Sequence, residues 1–113
     1  MIDLNRIQHE IQQRTGIWFT LYAWNQRPDA DAWGVITMDG QTAAVWGGDQ
    51  MRDQALEGSV HLFIRSTDTT VPDAVQSALG ELRLSWRLDA CVYEPDTRYL
   101  HYTWIWRDWG RLQ

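Results

Sequence analysis

The chain has 113 residues, a length that suits one domain and leaves no room for two. Hydrophobic residues make up 44% and charged residues 22%, which is the composition of a globular protein and not of a disordered one. The formal net charge is −5, whereas a free-standing nucleic-acid binder needs a basic face to neutralise phosphates. The sequence therefore predicts a single globular domain, residues 1–113, that does not bind nucleic acid on its own.

The sequence also predicts no membrane span and no disulfide. No apolar stretch approaches the roughly 20 residues that a spanning helix needs, and the first ten residues, MIDLNRIQHE, lack the apolar core of a signal peptide. Cys91 is the single cysteine, so it has no partner within the chain. These features predict a soluble protein that is made in the cytoplasm.

Two features of the composition are unusual. All ten basic residues are arginines, and eight residues are tryptophans. Both side chains are enriched at the energetic centres of protein interfaces. Tryptophan also fills the cores of small sheets, and a genome-wide bias toward arginine explains the missing lysine equally well. Eight tryptophans exceed what one small core holds, so we expect some of them to contact a partner.

Hydrophobic periodicity and turn residues define the order of elements along the chain. The predicted elements are a helix at 3–14, strands at 17–24, 32–38, 41–46 and 56–65, a helix at 71–84, and strands near 88–94 and 98–107. This order predicts the α+β class: a mostly antiparallel sheet of about five to six strands with two helices packed on one face.

Local signals fix several boundaries. Asp3 is a helix cap and Gly16 a helix stop, while Thr70 and Asp73 have the spacing of a capping box. Asp39-Gly40 suits the type I′ turn of a hairpin, and Gly47-Gly48-Asp49 ends its second strand. The strand at 56–65 extends back toward Met51, with a bulge at Gly58, and the tail from Asp108 is expected to fray.

Candidate catalytic and metal-ligating residues are scattered. His9 lies on a helix, whereas His61 and His101 lie on separate strands and become neighbours only if those strands pair. Cys91 on a strand is typical of core filler rather than of a nucleophile. The aspartates lie in or near loops without the alternation of a calcium loop, where they serve as turn formers. Gly47-Gly48-Asp49 lacks the features of a phosphate loop. We therefore predict no catalytic residues, no metal and no cofactor, and a protein that is not an enzyme.

Three stretches resemble the small tail-terminator or tail-completion (minor tail) proteins of long-tailed bacteriophages. They are the opening helix running into TGIWFTLYAW, then GSVHLFIRSTDTTVPDAVQSAL, and finally CVYEPDTRYLHYTWIWR. The resemblance covers nearly the whole chain as a pattern of elements. It implies an α+β structural subunit that forms a ring, commonly a hexamer, at the end of the tail tube and docks to the head-connector proteins. It also implies a location in the host cytoplasm during assembly and in the virion tail afterwards, and no catalytic residues.

A ring subunit needs apolar and arginine residues beyond those of its core. The candidate interface residues are Trp24, Arg27, Trp33 and Trp46 near the predicted hairpin loops, with Arg107 and Trp109 at the C-terminal end. Each of these could equally be a core or an ordinary surface residue. The main alternative is a small acidic immunity or inhibitor-type module that covers a basic partner surface, which the net charge would suit. A carbohydrate-binding module with exposed tryptophan faces is a third class.

Overall fold

A computed structural model of the chain describes residues 2–24, 29–47 and 50–109; for residues 41–47 and 50–54 it describes only the course of the backbone. The elements are α1 (Leu4–Thr15), β1 (Phe19–Leu21), β2 (Ala32–Gly47), β3 (Gln50–Ile64), α2 (Thr70–Glu81), β4 (Ser85–Glu94) and β5 (Tyr99–Asp108). The predicted α+β class is confirmed, with two helices and one five-stranded sheet.

The sheet has the strand order β1-β2-β3-β5-β4. The pairs β2–β3, β3–β5 and β4–β5 are antiparallel, and only the short β1 runs parallel to its neighbour β2. Strand β3 therefore lies at the centre of the sheet, while β1 and β4 form its two edges. β4 is ten residues long and β1 only three, so among the described residues β4 is the longer of the two edge strands.

Both helices pack against the same face of the sheet, which we call the helix side. Ile7 and Ile11 of α1 are fully buried there, together with Val75, Ala78 and Leu79 of α2. The sheet contributes the members of the core cluster Phe19, Ile36, Val60, Leu62, Ile64, Trp104 and Trp106. The members from β3 and β5 confirm the predicted alternation, since every second side chain of these two strands points to the helices.

Hydrogen bonds of glutamine side chains in both helices connect the helices to this core. The buried Trp104 donates its Nε1–H to Gln76 Oε1 of α2 at 3.1 Å. On α1, Gln8 Nε2 donates to the Phe19 carbonyl at 2.6 Å and Gln12 Oε1 accepts from the Phe19 N–H at 3.0 Å. Both backbone polar groups of Phe19 are thus satisfied by glutamine side chains, which holds the short parallel strand β1 beneath α1.

The caps of α1 are as predicted. Asp3 is the N-cap and its carboxylate accepts from the Asn5 N–H at 2.9 Å, and Gly16 ends the helix in the left-handed region at φ 69°.

The predicted capping box of α2 is wrong. The cap position is Thr69 without a side-chain cap bond, and Asp68 Oδ1 instead accepts from the backbone and hydroxyl of Thr70 at 2.8 and 2.6 Å. A short Asx-type turn therefore precedes the helix, since aspartate bonds readily two residues onward.

The predicted hairpin turn at Asp39-Gly40 is also wrong. Strand β2 continues through these residues to Gly47, and the pairing skips Asp39 between Met38–Gly58 and Gly40–Glu57. Gly40 has a φ of 127°, so the positive φ that favours a turn here serves a bulge in the strand. The bulge is therefore at Asp39 in β2, opposite Gly58, and not at Gly58 in β3 as predicted. Gly47 instead pairs with Gln50, and the rest of the predicted GGD segment, residues 48–49, lies outside the described residues.

The predicted strand at 17–24 is shorter in the structure because Tyr22 adopts a φ of 63°, which ends β1. The predicted second helix likewise stops at Glu81 rather than at 84, and Arg83 has a φ of 59°. The closing hairpin is confirmed, although β4 begins three residues earlier than predicted. Asp108 is the last residue of β5 and accepts from the Ile2 N–H at 2.8 Å, while residues 110–113 lie outside the described part.

A two-stranded extension projects from one end of the sheet. Strand β3 pairs with β5 only from Leu56 onward, whereas its preceding residues pair only with β2 among the described residues. We call this extension, residues 41–47 and 50–55, the arm. Seven extended residues span roughly 23 Å, and the molecule measures 53 Å along its longest axis against 26 and 23 Å across. Among the described residues no helix has the length and apolarity to cross a membrane.

Candidate functional site

The sheet face opposite the helices, which we call the open face, carries a row of stacked rings. Trp33, Phe63 and His101 come from β2, β3 and β5 and are directly paired across the strands. The ring centroids of Trp33 and Phe63 are 4.2 Å apart and those of Phe63 and His101 are 4.1 Å apart. Cross-strand pairs of this kind stabilise a sheet and fix ring positions. We call these three residues the aromatic row.

Tyr99 closes one end of the row. Its ring packs edge-on to both Trp33 and Phe63, and its hydroxyl donates to the Ala30 carbonyl at 2.6 Å. The guanidinium of Arg65 lies 4.2 Å from the Tyr99 ring centroid. Tyr99 is almost completely buried and forms a second small core on this face together with Trp33, Val35 and Phe63.

Beside the aromatic row runs a chain of hydrogen bonds, which begins at Asp39. The Thr37 hydroxyl donates to Asp39 Oδ1 at 2.9 Å, and Thr37 Oγ1 lies 2.7 Å from Ser59 Oγ. Ser59 Oγ is in turn 3.0 Å from His61 Nε2. Thr37 and Ser59 share one face because they are direct cross-strand partners, and His61 lies two residues along β3 on the same face.

The chain continues through both histidines to a second carboxylate. His61 Nδ1 lies 2.9 Å from His101 Nε2, so the conditional prediction that the two would be neighbours is confirmed. His101 Nδ1 faces Glu94 Oε2 at 3.4 Å. Thr103 Oγ1 lies 3.4 Å from both nitrogens of the histidine junction and adds only a weak contact. We call the series Asp39, Thr37, Ser59, His61, His101 and Glu94 the polar chain.

Both histidines of the polar chain resist protonation. Burial lowers the pKa of His61 to about 4, with a further lowering by His101 and a smaller opposing effect of Asp39. Burial also lowers the pKa of His101, and Glu94 opposes that shift. The pair is therefore neutral near pH 7, and the 3.4 Å contact between His101 and Glu94 is not an ion pair at that pH.

The low pKa of His61 makes folding stability depend on pH. The unfolded chain binds a proton near pH 6.5, whereas the folded chain excludes it until about pH 4, so stability is lost as the pH falls through this range. We expect the thermal midpoint of the wild type to fall more steeply between these pH values than that of His61→Gln. The exposed His9 provides the control, and His9→Gln should follow the wild type. Parallel curves for wild type and His61→Gln would contradict the assignment.

A cavity of about 270 Å³ opens beside the end of the polar chain. It is lined by Trp24, Trp33, Phe63, Glu94, Thr97, Tyr99 and His101. Aromatic rings thus form most of its wall, and the open contact between His101 and Glu94 forms its polar end. Trp24, half exposed, packs edge-on to His61 at a centroid distance of 4.5 Å and borders the entrance.

The series Ser59, His61, His101 has the spacing of a nucleophile, a base and an orienting group. Ser59 is only 5% exposed and its hydroxyl is shared with Thr37, so no substrate carbonyl reaches Oγ in this arrangement. The series therefore acts as a buried polar network, which fixes the register of β2, β3 and β5. In the described part of the chain, no group of three or more histidine, cysteine or acidic side chains could hold a metal ion.

The structure brings two predicted interface residues, Trp24 and Trp33, to the same cavity. Trp33 is only 2% exposed, so its side chain is part of the small core rather than of the free surface. Its indole N–H has no acceptor among the described residues. Arg27 lies outside the described residues, and of Trp46 only the backbone, in β2, is described.

The other two predicted interface residues lie near the C-terminal end of β5. Arg107 donates its Nε–H to Glu57 Oε1 at 2.9 Å, and Trp109 is exposed directly after β5. Sequence reasoning missed the exposed apolar residues of the β4 edge, which are Trp86, Leu88, Val92 and Tyr93. It also missed Glu94 as a partner of His101. The Tyr99–Glu94 pairing that closes the hairpin could have indicated it, because His101 follows on the same face of β5.

Compared with models of known protein families and with the sequences of curated proteins, the chain matches none of them.

Proposed function

We propose that this chain is a structural subunit of a bacteriophage tail, of the tail-terminator or tail-completion type, which assembles into a ring with further copies of itself. In this proposal the ring forms in the host cytoplasm, caps the tail tube and presents a surface to the head-connector proteins. The observation that carries the proposal is the arm. The resemblance of the three sequence stretches to such proteins agrees with it.

The arm supports self-assembly because it lacks a third strand. Among the described residues its two strands pair only with each other, beyond the point where β5 ends. A two-stranded ribbon is marginally stable in water unless something packs against it. Its sequence includes the apolar residues Val45, Trp46 and Met51. In a ring, the arm of each subunit would contact the surface of the neighbouring subunit.

The β4 edge supplies a second and different surface. No other described strand pairs with its outer side, and Val92 and Tyr93 are each 55% exposed. Long apolar edge strands are normally shielded, because they add strands from other chains. An arm at one end and an apolar edge at the side are not self-complementary. Contacts between two unlike surfaces run head to tail, which closes into a ring when the rotation allows it.

The molar mass of the purified protein, measured by light scattering behind a sizing column at several concentrations, tests the proposal. We expect a discrete mass near six subunits, and electron microscopy should then show rings. A tight one-to-one complex with a basic partner that weakens with salt would instead support the acidic inhibitor-type module. A monomer at every concentration, also in the presence of tail tubes, would contradict the ring.

A charge on the β4 edge should block assembly without unfolding the subunit. We expect Val92→Lys to reduce the mass to that of a monomer, because an edge lysine resists strand addition. Gln13→Lys adds the same charge to the exposed surface of α1 and should assemble like the wild type. Rings formed by Val92→Lys would show that β4 is not the contact surface.

A further inference from the structure

The polar chain contains five contacts between polar atoms, and its neutral groups supply too few protons to make every contact a hydrogen bond. Asp39 accepts from Thr37, so the Thr37 oxygen must accept from Ser59, and Ser59 from His61 Nε2–H. A neutral imidazole has one N–H, which leaves His61 Nδ1 as an acceptor. The chain therefore runs in one direction only.

The same donor-to-acceptor order extends to His101, and it leaves the last contact, between His101 and Glu94, without a proton. His101 must donate its Nε2–H to His61 Nδ1 at 2.9 Å, so a neutral His101 has a bare Nδ1. That nitrogen faces a carboxylate oxygen of Glu94 at 3.4 Å, which is longer than the about 2.7–2.9 Å of a charge-assisted hydrogen bond. Two acceptors thus meet without a proton between them, at the wall of the cavity.

We propose that the cavity binds the guanidinium group of an arginine side chain from a partner protein, which donates to Glu94 and to His101 Nδ1. A cation with several N–H donors completes the open link and neutralises Glu94, the one carboxylate among the described residues of the cavity wall. The rest of the lining is Trp24, Trp33, Phe63, Thr97 and Tyr99, which suits a flat and weakly hydrated group better than a compact ammonium. The inference holds whether or not the chain forms a ring.

A proton on His101 Nδ1 would close the same link, so protons and guanidinium compete. In the described part of the chain, the charged and titratable groups linked to His101 are Glu94 from β4, His61 from β3 and, beyond His61, Asp39 from β2. Arg65 is adjacent but already donates to the carbonyls of Thr97 and Ala30 at 3.0 and 3.3 Å. Guanidinium affinity must therefore fall as acid charges His101, whose neutral form is the binding form.

The test is a titration with ethylguanidinium and with a short peptide that carries one arginine between apolar residues, followed by the NMR shifts of the Trp24 indole and His101 ring. We expect saturable shifts at about pH 7.5, progressively weaker binding as the pH is lowered below 6.5, and weaker binding of ethylammonium throughout. Equal affinity for the free cation and the peptide would identify the group alone as the ligand. A preference for the peptide would show that flanking residues also bind.

Two variants separate binding from folding. Glu94→Gln keeps the shape but removes the charge, and should weaken binding about tenfold or more. Asp96→Asn removes a charge from the same turn, outside the cavity lining, and should bind like the wild type. His101→Gln should bind without the pH dependence. The proposal is overturned if Glu94→Gln binds as well as the wild type, if binding strengthens in acid, or if neither probe shifts these resonances.

Discussion

Replacing Gly58 with alanine is expected to destabilise the protein by roughly 3 kcal/mol or more, a large part of the about 5–15 kcal/mol that holds a typical domain folded. A Cβ at this position would overlap the Thr37 carbonyl oxygen and the six-membered ring of Trp106. Trp106 is fully buried, and the Thr37 oxygen belongs to the neighbouring strand. Neither group can move without opening the sheet beside the bulge at Asp39. Urea denaturation should show a much lower midpoint.

Gly80 provides the matched control. It lies in α2, it is exposed, and an added Cβ would meet nothing within 4 Å. Alanine here should raise the stability by roughly 0.5–1 kcal/mol, because glycine in a helix loses more conformational freedom on folding. Equal denaturation midpoints for Gly58→Ala and the wild type would show that the close packing at Gly58 is not present in solution.

Removing the outer arm is expected to abolish assembly while leaving a folded monomer. In this variant an Asn-Gly pair replaces residues 44–54 and joins Ala43 to Ala55, which face each other across β2 and β3. Asn-Gly forms the two-residue turn that twisted hairpins favour. Ala55 is retained because it is fully buried at the base of the arm. Light scattering should report a single subunit, and the urea midpoint should stay close to that of the wild type.

The two measurements on the shortened variant have separate meanings. A folded variant that still forms rings would show that the arm is not the assembly element and would remove the main support for the ring proposal. The proposed guanidinium site lies on the open face away from the arm, so its titration should be unchanged in this variant. Loss of guanidinium binding together with the arm would instead indicate that the deletion disturbs the body of the protein.

Elements with a strong local signal could be predicted from the sequence. The cap at Asp3 and the stop at Gly16 are side-chain and backbone properties of single residues, and the structure confirms both. The alternation around Val60 and Leu62 is confirmed because one face of β3 is covered by helices. The prediction of a turn at Asp39-Gly40 is wrong because a positive φ at glycine fits a turn and a bulge alike. The choice between them depends on the distant strand β3, which local sequence does not contain.

The candidate site depends even more on distant partners. His61 and His101 could be named as neighbours only on the condition that their strands pair. Their hydrogen bond requires the register of β3 against β5, in which His101 lies opposite Phe63. Glu94 is the last residue of a predicted strand, and its position beside His101 follows from the hairpin register. Trp33 was interpreted as a contact residue, since composition alone does not separate a small second core from a surface.

The strand order has a consequence for how the chain folds. β2–β3 and β4–β5 are hairpins between neighbouring segments, so each can form by closing a short loop. The sheet is completed only when β3 meets β5, a contact that spans about 40 residues, as between His61 and Thr103, with α2 in between. Closing such a long loop costs entropy before its contacts are gained, and it slows folding. The polar chain crosses this junction at the contact between His61 and His101, so this link can form only when the two hairpins dock, whereas its other links lie within one hairpin each.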